Sequence, residues 1–210
     1  MSKLDIGIDM KMIISLIFIL TFIGQAHGEA YCSLRDPVTQ IRTLFPTKTN
    51  QLSIVKRVDE RIRKQVKKSL PRNNLHFSEL GKHTLYVALN KRKILGYVHV
   101  RSEQSQWGLV EIAWAINSDL TIKGFSCQRC RNPKRNLLEQ PQFKQLFIDK
   151  NFQQLKLMLS IDGTNAKNEI TSQAQHSSEL TSIVLRSALK TLLITDLLWS
   201  KELSQLEPTH

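Results

Sequence analysis

TLYVALNKRKILGYVHVRSEQSQWGLVEIAWAINSDLTIKGFS, residues 84–126, holds four short apolar runs separated by turn residues. Residues 84–89 and 94–100 flank Asn90-Lys91-Arg92-Lys93, a hairpin turn with charges at its tip. Residues 108–116 and 120–126 flank Asn117-Ser118-Asp119, a second tight turn. Four consecutive strands joined this closely predict an antiparallel meander, and an apolar sheet face must be covered by helices. The expected class is therefore α+β, an antiparallel β-sheet meander with an N-terminal amphipathic helix and C-terminal helices packed on the sheet.

Those helices are sought on either side. Downstream, Phe143, Leu146, Phe147, Phe152, Leu155, Leu157, Met158 and Leu159 predict one or two short helices, and Asp162-Gly163 breaks the chain after them. From Leu180 the apolar residues return at Val184, Leu185, Ala188, Leu192 and Leu193, so one buried stripe of a final helix should run to about Trp199. Residues 201–210 are a polar tail. Upstream, Val55, Val58, Ile62 and Val66 recur every three or four residues and predict an amphipathic helix over 53–70, ending at Pro71. Its outer face would carry Lys56, Arg57, Arg61, Arg63, Lys64, Lys67 and Lys68, which suits either a solvated face or docking on a membrane surface or acidic partner. Residues 31–46, with Asp36-Pro37 and Phe45-Pro46, read as an irregular lead-in.

Residues 1–28 have the pattern of an export signal: an apolar run from Ile13 to Ile23 behind Lys11, then Ala26-His27-Gly28 as a small-x-small cleavage site. The run is about half of the roughly 20 residues that span a bilayer, so a permanent membrane helix is not expected. Removing it leaves about 180 of the 210 residues, enough for one domain with its own core. The expected organisation is signal peptide 1–28, lead-in and basic helix 29–80, α+β domain 81–200 and tail 201–210, in a periplasmic protein. The signal contains Lys3, Lys11, Asp5 and Asp9, so the whole formal charge of +12 lies in the remainder. Such a charge favours a phosphate-bearing ligand or anionic lipid, and export argues against nucleic acid.

Between Asp162-Gly163 and the final helix lies a small-residue polar turn. Ser177 and Ser178 stand just ahead of the apolar stripe as natural N-caps, and a helix N-terminus offers N–H groups and positive dipole to a phosphate. Ser172-Gln173-Ala174-Gln175-His176-Ser177-Ser178 resembles, register for register, the Ser-Gly-Ala-Thr-x-Thr/Ser-Ser box of the FMN-binding domain family. That family occurs in exported electron-transfer subunits, including those of sodium-pumping and Rnf-type respiratory complexes. There the box precedes a C-terminal helix, and its threonine carries FMN through a phosphoester bond. Ser172, Ala174, Ser177 and Ser178 match. Gln173 replaces the glycine, and Gln175 stands at the flavin-bearing position. Gln has no hydroxyl to esterify, so a tether at Gln175 is chemically excluded, and Thr171, Ser177 or Ser178 could serve only in a shifted register. The strand order over 84–193 is also similar to the family's. The resemblance implies an exported electron-transfer accessory with non-covalent FMN held by Thr171, Ser172, Ala174, Gln175, His176, Ser177 and Ser178, serving a membrane-bound electron-transfer complex. The other reading is a binding or scaffold module that keeps the fold without the flavin.

The loop Cys127-Gln128-Arg129-Cys130-Arg131-Asn132-Pro133-Lys134-Arg135 stands where the family has a loop covering the flavin. Arg129 and Arg131, with Lys134 and Arg135 beside them, would supply guanidinium and ammonium donors to an untethered phosphate. Cys127 and Cys130 form a CxxC that closes a strand, whereas a redox CxxC sits at a helix N-terminus. Arg131 stands where a c-type haem needs His, and one CxxC is half a zinc site. A structural disulfide in an oxidising compartment is expected, with Cys32 and either member of the pair as candidates. His76, His83, His99, His176 and His210 are scattered, with His83 and His99 placed to face each other across the first hairpin. Trp107, Trp114 and Tyr97 read as core or sheet-face residues, or as ring-stacking candidates for a flavin. No Ser-His-Asp order, paired carboxylates, phosphate-cradling glycine loop or HExxH names an independent enzyme.

Overall fold

The computed structural model describes residues 36–173 and 177–206. Five strands form one antiparallel meander in chain order: β1 (Asn50–Val58), β2 (Gly81–Asn90), β3 (Lys93–Ser105), β4 (Gly108–Ile116) and β5 (Ile122–Arg129). The helices are α1 (Val38–Leu44), α2 (Glu60–Ser69), α3 (Pro141–Gln145), α4 (Phe152–Lys156), α5 (Asn168–Gln173) and α6 (Ser178–Leu206). The α+β class and the meander with a C-terminal helix on the sheet stand as expected.

The strands reach further than their apolar cores. Arg101 and Glu103 extend β3, where an uninterrupted ladder to β4 runs from Tyr97↔Ile116 to Ser105↔Gly108. Both hairpin turns fall where the turn residues stand: Lys91 takes positive φ at the first tip, and Asn117 N–H donates to the Thr121 carbonyl at 2.9 Å across the second. Leu120 belongs to that turn with φ 59°, so β5 starts two residues later than its apolar content suggests.

The N-terminal third departs from expectation. A helix over 53–70 does not form; residues 50–58 are a fifth strand paired with β2, and α2 begins only at Glu60. Val55 and Val58 fit a helical period, but Leu52, Ile54, Lys56 and Val58 also alternate. The β-branched trio Ile54, Val55 and Val58 favours the strand. Asp59 then separates the two elements. Its carboxylate accepts from Ile62 N–H at 3.0 Å as N-cap of α2, and that bond holds its pKa below the ordinary carboxylate value. Residues 38–44 of the lead-in are helical as well, because Ile41 and Phe45 find an apolar face to cover.

The sheet has two unlike faces. On one, Leu85, Val87, Tyr97, Ile112, Trp114 and Phe125 pack beneath α6, with α2, α3 and α4 closing the flanks. On the other, Ala88, Val98, Val100, Ala113 and Ala115 form a shallow second core under Ile41 and Phe45 of the α1 region. Gly96 makes this close approach possible. Its φ is 141°, and a Cβ there would meet the Ile116 carbonyl oxygen at 2.5 Å and the Phe45 ring at 2.9 Å.

The final helix is longer and more deeply buried than one stripe. Besides the expected positions, Thr181, Ser182, Ile183, Ser187, Leu189, Lys190, Thr191, Ile194 and Thr195 are all buried. The sheet lies on one side of α6, and α2, α4 and α5 contact it as well, so few faces are left to solvent. Small hydroxylated residues on it serve packing. Ser187 Oγ accepts from the Trp114 indole at 2.9 Å, and Ser182 Oγ accepts from Ala166 N–H at 3.0 Å.

Candidate functional site

Two places on α6 concentrate polar chemistry. One is its N-terminus. Ser177 is buried, and its Oγ accepts from Leu180 N–H at 3.3 Å while its carbonyl takes Thr181 N–H at 2.9 Å, so Ser177 is the N-cap. Ser178 follows and is exposed. The N–H groups of such a first turn have no carbonyl partner inside their own helix. Opposite them, the segment after α4 folds back. Leu159 bridges Ala166, Lys167 N–H donates to the Met158 carbonyl at 2.9 Å, and Ala166 is tied to Ser182.

The result is a cleft of about 720 Å³. Ser178, Lys167, Asn168, Asn165, Asp162 and Glu169 supply its polar lining. That is within the range of small-molecule sites, roughly 300–1,000 Å³. Asp162 is anionic throughout the physiological range. Ser160 Oγ donates to it at 2.6 Å and Thr164 donates from N–H and Oγ, which pull its pKa to about 2.

Glu179 lies in the same first turn. Its Oε2 accepts from Gln106 Nε2 at 3.0 Å, in the turn between β3 and β4, and from Asn132 Nδ2 at 3.3 Å, in the loop after β5. A carboxylate here suits the helix dipole. It also fastens two loops to the mouth of α6, so the basic loop and the start of the final helix are neighbours. Asn132 is buried and further fixed by accepting Lys134 N–H at 2.8 Å.

The box residues divide. Ser177 and Ser178 sit at the helix start and Ser178 lines the cleft. Thr171 and Ser172 lie on α5 with both hydroxyls donating to the Asn168 carbonyl, at 2.9 and 2.8 Å, and are not among the lining residues. Ala174, Gln175 and His176 lie outside the described residues, as do the signal stretch and Cys32. Arg131 is exposed one residue before Asn132. Arg129 ends β5 opposite Glu111 and borders a different hollow, about 290 Å³, with Cys127, Cys130, Arg135 and Glu139. Cys127 and Cys130 are free thiols, and burial, with Cys130 beside it, pushes the Cys127 thiol up to about 12. It is protonated at neutral pH and a poor nucleophile.

The second polar place is deep. Glu79, at the end of a 3₁₀ turn (Phe77–Glu79) before β2, contacts Arg101 of β3 and both of its oxygens lie 3.2 Å from Lys190 Nζ. Lys190 also reaches Glu103 at 3.1 Å. All four are nearly inaccessible, and two acids with two bases leave no net charge. Burial alone would raise the Glu79 pKa, but Arg101 and Lys190 outweigh it and hold the carboxyl below its ordinary value. Beside them His83 Nδ1 and His99 Nε2 are 3.3 Å apart, a diagonal contact across the hairpin, because Leu85 and not His83 stands opposite His99. His83 also bonds the Glu79 carbonyl, and His99 the Thr195 hydroxyl at 3.0 Å. Burial lowers both pKa values, His83 to about 4, so each ring is neutral at pH 7.

Sequence reading did not find this layer. Its only signals were charges set inside apolar runs, Arg101 and Glu103 after a strand and Lys190 within a buried helix, and such charges are commonly solvated. Tyr97 and Trp114 are core residues as expected, but Trp107 is exposed at the β3–β4 turn. Stacking of a flavin on Trp114 is ruled out by its complete burial against Phe125 and Phe147. Among the described residues, no group of three or more His, Cys, Asp and Glu could hold a metal ion, and no helix is long and apolar enough to cross a membrane.

The lining brings together one serine hydroxyl at the helix start, the Lys167 ammonium, two asparagine amides and the carboxylates of Asp162 and Glu169. Compared with known proteins, the chain matches no protein-family model and no curated protein.

Proposed function

We propose that the chain is an exported FMN-binding protein that holds its flavin non-covalently and serves electron transfer to or from a membrane-bound complex. The observation that carries this reading is the Ser177-capped start of α6 opening onto a polar cleft of ligand size. The box that resembles the FMN-binding domain occupies the same place in the chain. In this reading Ser178, Lys167 and the N–H groups of Ser178 and Glu179 hold the phosphate, since Leu180 N–H is taken by the Ser177 cap. Asn165, Asn168 and Asp162 bond the ribityl hydroxyls, and Arg131, held near the helix start through Asn132, adds positive potential. FMN, when bound, carries the electrons; the protein supplies position and electrostatics.

Asp162, Glu169 and Glu179 all work against the phosphate, and the two amide donors on Glu179 spread part of its charge. The test is an absorption spectrum of the chain recovered from the periplasm, before and after acid precipitation. Flavin absorption that moves to the supernatant supports the reading. Absorption that stays with the pellet means a covalent bond at Thr171, Ser177 or Ser178. A colourless protein that takes up no added FMN ends it.

A further inference from the structure

Two aliphatic side chains protrude from the surface beyond what folding requires. Ile161 is 106 % exposed and Leu157 72 %, in the segment that leads from α4 to the cleft. A protein surface tolerates single exposed aliphatics, but a fully extended isoleucine on a loop tip gains nothing from the fold itself. Their surroundings are basic. A groove of about 400 Å³ separates this loop from the end of α2, with Ser69, Pro71 and Arg72 on one wall and Lys156, Ile161 and Gly163 on the other. The two walls are fastened by Asn73 Nδ2, which donates to the Gly163 carbonyl at 2.6 Å. Lys67 and Lys68 stand exposed on the last turn of α2, which runs straight into the groove, and Lys64 lies one turn earlier. Asp162 is the acid at the tip, and its oxygens are turned onto Ser160 and Thr164 of its own loop.

We infer that this corner is a docking surface for an anionic phospholipid bilayer. Leu157 and Ile161 enter the interface, and Lys64, Lys67, Lys68, Arg72 and Lys156 face the headgroups. The argument is complementarity. Protruding aliphatics ringed by ammonium and guanidinium groups match an apolar layer beneath a negative surface, and each such cation near the surface adds attraction that salt screens. An acidic protein partner would engage the cations but gives no reason for a fully exposed Ile161. The inference does not need the flavin to be bound, although Ile161 and Asp162 border both the groove and the cleft.

The experiment is co-sedimentation of the full chain with vesicles of phosphatidylcholine alone and of equal parts phosphatidylcholine and phosphatidylglycerol. Parent, Leu157→Asp/Ile161→Asp and Lys67→Glu/Lys68→Glu/Arg72→Glu chains are compared. The expected result is binding to the anionic vesicles only, weakened by salt and reduced about tenfold or more in each variant. All substituted residues are exposed, so circular dichroism should be unchanged. An Ile161→Trp chain supplies a second readout: its added fluorescence should be quenched by lipids brominated on the acyl chains. No binding to anionic vesicles, equal binding by all three chains, or an added indole signal indifferent to the brominated lipid overturns the inference. So does loss of binding in the charge variant alone, which would mean electrostatic adsorption without entry of Leu157 and Ile161.

Discussion

The middle of α6 and its beginning are built from similar residues and do opposite things. Around Lys190 the helix faces Glu79, Arg101 and Glu103 across a dry layer where each charge has an opposite neighbour within hydrogen-bond range. Three turns earlier Ser177 caps the helix, and Ser178 lines a cleft open to solvent whose other polar groups include Asp162, Asn165, Lys167, Asn168 and Glu169. In the first place the charges are paired inside the fold, with Arg101 Nε and Nη1 and Glu103 Oε1 left without a hydrogen-bond partner among the described residues, so the layer specifies the packing of helix on sheet. In the second, polarity is left available, so it offers binding. Position relative to solvent, and not residue type, separates the structural set from the candidate site.

The largest effect should come from breaking the buried layer. Lys190→Met leaves Glu79 with Arg101 alone and Glu103 without its ammonium, and should cost about 3–5 kcal/mol in urea unfolding. A loss below about 1 kcal/mol would mean that the four charges relax or admit water, and the contrast with the helix start would fail.

Acid probes the same layer without mutation. His83 is neutral in the fold with a pKa near 4, so between the unfolded value of 6.5 and about 4 the unfolded chain binds the extra proton. Stability should therefore fall as pH drops through that window, by about 3 kcal/mol from His83, and His99 shifts in the same direction. The Glu79 carboxyl, held low, contributes stability above its unfolded value and loses it only at more acidic pH. Unfolding midpoints of the parent and of His83→Gln, measured from pH 7 to pH 4, should converge as pH falls. Parallel curves would contradict the assignment.

At the helix start the effects should be smaller on stability and larger on ligand. Ser177→Ala removes the cap and should cost about 1 kcal/mol in thermal or urea unfolding. Glu179→Gln keeps the two amide contacts possible, removes a negative charge, and should tighten FMN a few-fold with stability nearly unchanged. Weaker FMN in that variant would move the phosphate away from this turn.

Most of the fold was legible because its signals were local. The two hairpins were marked by Asn90-Lys91-Arg92-Lys93 and Asn117-Ser118-Asp119, and the final helix by Ser177 and an apolar period. What was misread depended on partners far along the chain. Residues 50–58 have a pattern that suits helix or strand, and the free edge of β2, which begins at Gly81, decides for strand. Asp59 was the available cue, a cap placed between the two elements. The charged layer was invisible for a related reason. Glu79, Arg101, Glu103 and Lys190 come from separate segments, and only the sheet register and the helix packing bring them together. At the cleft, the serines were readable from the box, whereas Lys167, Asn165 and Asp162 enter through a fold-back after α4 that carries no such motif.

The most direct test of the central claim is equilibrium titration of the flavin-free chain with FMN and with riboflavin, followed by flavin fluorescence. If the start of α6 receives the phosphate, FMN should bind at least about tenfold more tightly than riboflavin. That advantage should shrink in Lys167→Glu. Equal affinities for the two flavins, or no change in fluorescence with either, would contradict the account.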